Sequence, residues 1–355
     1  MPTLQPPSSQ HLRGALLGLG SAALFGLSAP LAKLLLGSVS PILLAGLLYL
    51  GAAGGLWFYR ALGPGSREAH LQRQDLPKLA TLILAGGVAA PVFMLFGLQR
   101  VTALTGSLLL NLEAPLTVLM AVIIFHEHLG RHAAAATACI LGGALVLQLA
   151  SGKLGADAVG VCLLAAACLC WALDNNLTQR LSLRDPFAIV RRKTLVAGVV
   201  NTGLGLFVAH GQLPPPSFLC GALALGCVSY GISVVLDAYA LRAIGAAREA
   251  AYFATAPFVG AIASVALFGD SLGVFDVVAM GFMALGVGIL VRERHCHRHV
   301  HERLDHEHLH EHDDHHHHQH GPGDPPGAPH NHRHIHPPQV HDHSHVPDAH
   351  HRHKH

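Results

Sequence analysis

Uninterrupted apolar stretches, separated by short polar links, recur along the first 294 residues, at about 14–37, 41–60, 77–99, 103–126, 131–150, 157–180, 187–209, 217–241, 249–269 and 273–292. Each approaches the roughly 20 residues that a helix rising 1.5 Å per residue needs to cross a hydrocarbon core about 30 Å thick. The stretches are continuous rather than alternating, which argues against strands. Lipid also requires each span to satisfy its own backbone polar groups, which a helix does. The pattern predicts an all-α integral membrane protein with ten transmembrane helices. Residues 1–13 read as a short cytoplasmic N-terminus. The first stretch, at about 24 residues, exceeds the 7 to 15 apolar residues of a cleavable signal and reads as a retained helix.

Composition supports this picture and divides the chain in two. Hydrophobic residues make up 51% and charged residues only 12%, with a mean hydropathy of +0.41, whereas a soluble domain carries about 25% charge. Of 30 histidines, six precede residue 295 (His11, His70, His126, His128, His132 and His210) and 24 fall in the last 61 residues. Residues 295–355 hold almost no apolar side chains, and composition predicts a disordered, His-rich tail. The net charge of +2 argues against nucleic acid as a partner and leaves the lipid bilayer as the principal one. Cys139, Cys162, Cys168, Cys170, Cys220 and Cys227 lie in apolar runs without a C-x-x-C pair, so neither a zinc nor a redox motif is indicated.

The polar links alternate in charge. With the N-terminus inside, Arg13, Arg60, Arg67, Arg73, Lys78, Arg131, Arg180, Arg184, Arg191, Arg192, Lys193, Arg242, Arg248, Arg292 and Arg294 fall on the cytoplasmic side, and only Arg100 and Lys153 outside. The positive-inside rule then places both termini in the cytoplasm. The two halves, 14–150 and 157–292, also match each other. Ala114-Pro115 pairs with Ala256-Pro257 at an offset of 142 residues, Arg100 pairs with Arg242 at the same offset, and Glu127-His128-Leu129-Gly130 parallels Asp270-Ser271-Leu272-Gly273. Five spans per half put the copies in opposite orientations, giving two inverted five-helix repeats with a solute site expected near the midplane between them.

The ten-span layout, the doubled Ala-Pro helices, the Glu127-x-Leu129-Gly130 helix end and Trp171-Ala172-Leu173-Asp174-Asn175-Asn176 resemble the EamA branch of the drug/metabolite transporter superfamily. A histidine-loaded tail together with Asn111-Leu112-Glu113-Ala114-Pro115 resembles a subgroup described as permeases, some of them associated with nickel or cobalt resistance. The resemblance implies a transporter rather than an enzyme, and no nucleophile and base stand at a credible spacing.

Within the spans, proline removes a backbone hydrogen bond. Pro115 frees the carbonyl of Asn111, Pro257 that of Phe253, Pro30 that of Gly26 and Pro91 that of Gly87. A kink satisfied by a neighbouring hydroxyl is the bland outcome for one proline; the symmetric pair points to a site. Glu113 lies about 15 Å into the fourth span, at the bilayer centre, where an ionised side chain costs at least about 2.5–3.5 kcal/mol unless it is neutral, paired or facing a wet cavity. Asn111 projects about 200° away on an ideal helix and shares a cavity with Glu113 only if the turn is distorted. Asp174, Asn175, Asn176 and Thr178 form a polar band on the sixth span, with Asp174 and Thr178 on one face. This band fits a solvated helix end as well as a cavity lining. Tyr230, Ser233 and Asp237 form a polar stripe on the eighth span that fits helix packing as well as a solute path. Lys33 is expected to snorkel or to pair with an acid.

His126-Glu127-His128 and His132 do not have the H-E-x-x-H spacing of a metalloprotease. The tail is a stronger metal signal: His297, His299 and His301; His306, His308, His310 and His312; His315, His316, His317 and His318; and His332, His334 and His336. Neutral imidazole suits zinc, nickel, copper and cobalt, so the tail is expected to bind nickel, cobalt or zinc, with no obligatory cofactor. Five basic and nine acidic residues leave the tail near −4 when histidine is neutral and strongly cationic below about pH 6.5.

Together these features predict a secondary transporter of the bacterial plasma membrane. It would export a small solute, first a divalent transition metal such as nickel or cobalt, through a cavity lined by Asn111, Glu113 and Asp174, with proton exchange on Glu113. The alternative cargo is an amino acid, nucleoside or other metabolite, with the tail as a metal buffer. A membrane-anchored metal store is disfavoured because an anchor needs only one span. The sequence sets no oligomeric state.

Overall fold

The computed structural model describes residues 9–62, 69–124, 131–150, 158–181, 184–244, 249, 252–269, 272–292, 295–301, 304–310, 330–336 and 339–345. Helix occupies each predicted stretch. The first half holds α1 (Ser9–Gly26), α2 (Ser28–Leu35), α3 (Pro41–Leu62), α4 (Leu76–Leu82), α5 (Ala90–Arg100), α6 (Ala103–Leu109), α7 (Glu113–Ile123) and α8 (Arg131–Ala150). The second holds α9 (Ala158–Leu181), α10 (Pro186–Val208), α11 (Pro216–Leu225), α12 (Ser233–Ile244), α13 (Ala256–Phe268) and α14 (Val274–Arg292). Among the described residues, six helical runs are long and apolar enough to cross a membrane: Leu12–Leu35, Pro41–Leu62, Arg73–Arg100, Ala103–Ile123, Ala158–Leu181 and Pro216–Ile244. Shorter apolar helices cover Ala134–Val146, Ala256–Phe268 and Val274–Ile289, and α10 carries Arg191, Arg192 and Lys193 within its length. Large apolar side chains such as Phe58, Phe207, Ile262 and Val274 are exposed on the outside of the bundle, as a surface meant for lipid requires.

Helix contacts occur in pairs that exchange the two halves. α1 lies on α12 as α9 lies on α5; α3 meets residues 226–232 as α10 meets 83–89; and α7 lies on α9 as α13 lies on α1. The corresponding spans α3 and α10, α6 and α13, and α8 and α14 pack directly on each other. At the α3–α10 crossing Gly46 faces Thr202, Gly198 lies against Leu50 and Gly205 against Leu43. In lipid, helix association relies on such close backbone approach. Hydroxyls join α1 to α12: Ser21 Oγ donates to the Ser233 carbonyl (2.9 Å) and Ser233 Oγ to that of Ser21 (3.0 Å). Ser233 is therefore a helix staple, and the polar stripe expected on the eighth span divides between packing and cavity.

Several spans are interrupted at mid-length. α1 gives way to α2 at Leu27, a 3₁₀ turn at Leu110–Leu112 separates α6 from α7, and a turn at Ala254 and Thr255 precedes α13. Two seven-residue π turns, Ile83–Ala89 and Gly226–Ile232, occupy corresponding places in the third and eighth spans. Such wide turns concentrate at functional sites. Pro91 follows the first of them, and the Gly87 carbonyl it frees accepts from Asn201 Nδ2 (3.5 Å), which also reaches the Val88 carbonyl (3.2 Å). Lys33 has backbone carbonyls among its partners. Its ammonium donates to the carbonyls of Leu98 (2.8 Å) and Val101 at the end of α5, as cations do at helix C-termini.

Composition predicts a disordered tail, within which the described residues include four short strands. β1 (His295–His301) pairs antiparallel with β4 (Gln339–His345), and β2 (Leu304–His310) with β3 (His330–His336). Composition measures how little apolar surface the tail can bury, but the alternating His-x-His pattern also has the two-residue period of a strand. His312 and His315 to His318 lie outside the described residues, as do His126, Glu127 and His128.

Candidate functional site

The helix breaks place charged and polar side chains around one chamber. In the 3₁₀ turn, three residues per turn bring Asn111 and Glu113 within about 120° of each other, against about 160° on an α-helix. Both then line the same cavity, with Ser107, Ala114, Thr117, Asn175, Glu249, Phe253 and Pro257. The distortion required by the sequence thus lies just upstream of Pro115. Glu113 is 8% exposed, and its Oε1 accepts from Asn175 Nδ2 across the halves at 2.8 Å. Thr117 Oγ1 donates to the Glu113 carbonyl (2.9 Å), and Asn176 Nδ2 to those of Thr117 (3.1 Å) and Ala172 (2.8 Å), tying α9 to α7.

A second arm of the chamber is lined by Tyr49, Trp171, Asp174, Thr178, Lys193, Tyr230 and Asp237 and shares Phe25, Glu113, Asn175 and Phe253 with the first. Its centre is a buried ion pair between Lys193 on α10 and Asp174 on α9. Thr178 Oγ1 donates to the other Asp174 oxygen (3.4 Å). Tyr49 Oη (2.8 Å) and Trp171 Nε1 (3.2 Å) both donate to the Gly86 carbonyl inside the first π turn. A Cβ on Gly86 would overlap the Asp174 carboxylate, so glycine is needed there for close approach. Gly86→Ala is expected to destabilise the protein by about 1–3 kcal/mol, as overpacking does, read as a lower unfolding midpoint in detergent micelles; an unchanged midpoint would show that the contact is loose.

Phe25 stands where the arms meet. Its ring lies edge-on to Trp171 (centroids 5.6 Å, 84°) and Tyr230 (5.6 Å, 64°), and 5.2 Å from Phe253. Tyr230 Oη also reaches Met94 Sδ (3.8 Å). The carboxyls of Asp237 and Glu249 are close neighbours. The two arms together have room for only a few waters. A larger solute needs the chamber to widen.

Of the residues singled out in the sequence, Asn111, Glu113, Asp174, Asn175, Thr178, Tyr230, Asp237 and Pro257 line the chamber, while Pro115 is buried in the first turn of α7. Lys193 corrects the sequence reading. Counted there among the cytoplasmic charges, it is 5% exposed and paired with Asp174. Its neighbour Arg191 does stay near the surface, over the Trp57 ring at 4.9 Å. Glu249, 1% exposed, was not anticipated, nor were Phe25, Tyr49 and Gly86. For Lys193 and Glu249 a signal existed: both fall inside apolar stretches, where an ionisable residue is functional by default.

Apolar helices closing over a charged chamber to which both halves contribute define a membrane transporter of small solutes. The chain belongs to the EamA-like transporter family, whose profile matches residues 12–149 and 158–292. It is 30% identical over 283 residues to an uncharacterized transporter of Methanothermobacter thermautotrophicus, covering 75% of this chain and 82% of that one. A solved crystal structure, titled only as that of a protein, is similar in fold, with a TM-score of 0.62 at 20% identity over 79% of this chain and 97% of the other.

Proposed function

We propose that this transporter is a proton-coupled exporter of a small metabolite in the plasma membrane of a bacterium, with ten spans, two inverted repeats and both termini in the cytoplasm. One observation carries the reading: Glu113 from the first half and Asn175, Asp174 and Lys193 from the second enclose one chamber at the helix breaks. Rocking of the halves would open it to either side in turn, and Glu113 would exchange a proton as the solute enters or leaves. Aromatic rings and carboxamides on the walls suit an organic solute.

A second cargo, a divalent transition metal such as nickel or cobalt, is favoured by the tail. There the backbone register pairs His297 with His343, His299 with His341, His306 with His334 and His308 with His332, and neutral imidazole as a ligand suits nickel, cobalt or zinc. Metabolite and metal fluxes measured side by side in proteoliposomes under an imposed pH gradient separate the two. We expect metabolite flux to persist after deletion of residues 295–355. Metal flux that depends on the tail, with no metabolite flux, would reverse the order of the readings.

A further inference from the structure

We propose that the solute carries a protonated amine, received in the arm formed by Asn111, Glu113 and Glu249, with an apolar body against the rings of Phe25 and Phe253. The inference rests on the reading of the chamber as the solute site. Two oxygens in this arm, Asn111 Oδ1 and Glu249 Oε1, are buried and have no hydrogen-bond partner among the described residues, and each residue is only 1% exposed. A buried acceptor left unpaired is costly and calls for a donor.

Several nearby donors are directed elsewhere. The Asn111 amide faces Met283 Sδ (3.5 Å), Asn175 Nδ2 donates to Glu113, and the Thr117 hydroxyl donates to the Glu113 carbonyl. Ser107 Oγ lies 3.5 Å from Ser264 Oγ. None of these donors reaches Asn111 Oδ1 or Glu249 Oε1, and an ammonium group supplies three donors together with a positive charge.

Charge agrees with this. Glu113, Asp174, Asp237 and Glu249 line the chamber with Lys193, and Lys193 is paired with Asp174. The remaining walls decide between an organic amine and a bare cation. Hard divalent ions take six or more oxygen ligands, and nickel suits imidazole. Here Phe25, Phe253, Leu110 and Ala254 occupy the other sides. Phenyl faces attract an ammonium and shelter its carbon chain.

Trp171, edge-on to Phe25, reports on the chamber once the second tryptophan is removed by Trp57→Phe. The full-length variant in nanodiscs is titrated with alaninol, leucinol and phenylalaninol, with their N-acetyl forms, and with phenyllactate. We expect at least one free amine to change the Trp171 emission, its acetylated form to bind about tenfold or more weakly, and Glu249→Gln and Glu113→Gln each to weaken the amine by a similar factor. Equal binding of the acetylated form, preference for the anion, or no response to any amine overturns the proposal. Proteoliposome flux separates that failure from failure of the underlying reading. Flux of any solute that Glu113→Gln abolishes keeps the chamber as the site and discards only the amine; flux indifferent to Glu113→Gln discards both.

Discussion

Proteoliposomes carrying Glu113→Gln are expected to lose gradient-driven accumulation entirely, down to the level of empty liposomes. Glutamine keeps the shape of the side chain and an oxygen for Asn175, so the fold and the α7–α9 contact should persist. What it cannot do is alternate between a charged and a neutral form, and a buried group at membrane depth couples to protons only through that alternation. Solute exchange without a gradient, measured in the same vesicles, should fall much less. Full accumulation by the variant would remove Glu113 from the coupling step.

The second large effect concerns stability. Lys193→Met leaves the Asp174 carboxylate buried without its cation, and breaking such a pair from one side costs about 3–5 kcal/mol. The unfolding midpoint in detergent should drop accordingly. Replacing both partners, as Lys193→Met with Asp174→Leu, removes both charges and should recover most of the loss, because a well-packed apolar pair can equal a buried ion pair. Transport should not recover with it. A single variant as stable as the parent would mean that Asp174 is not charged in the folded protein.

The helices were legible because hydrophobicity alone sets the length of a span, and the doubled Ala-Pro marked where the halves correspond. Glu113 and Asp174 stood out because an acid is costly in hydrocarbon. Lys193 escaped because it follows Arg191 and Arg192, and a run of three bases reads as a loop margin, although one helical turn carries its side chain inward. Glu249 escaped because it opens the ninth stretch beside Arg248, where a charged residue reads as an ordinary helix end. Tyr49 and Gly86 had no sequence signal at all. Their role depends on a π turn, whose extra residue per turn leaves no trace in composition.

Those two wide turns have a mechanical consequence. A π turn accommodates one residue more than its neighbours, so each of these helical runs carries a reserve of backbone at mid-length. Passing the surplus residue along the coil would shorten one end and lengthen the other while breaking few bonds at a time. A rod would bend in this way without snapping, and the reserve is present in both copies.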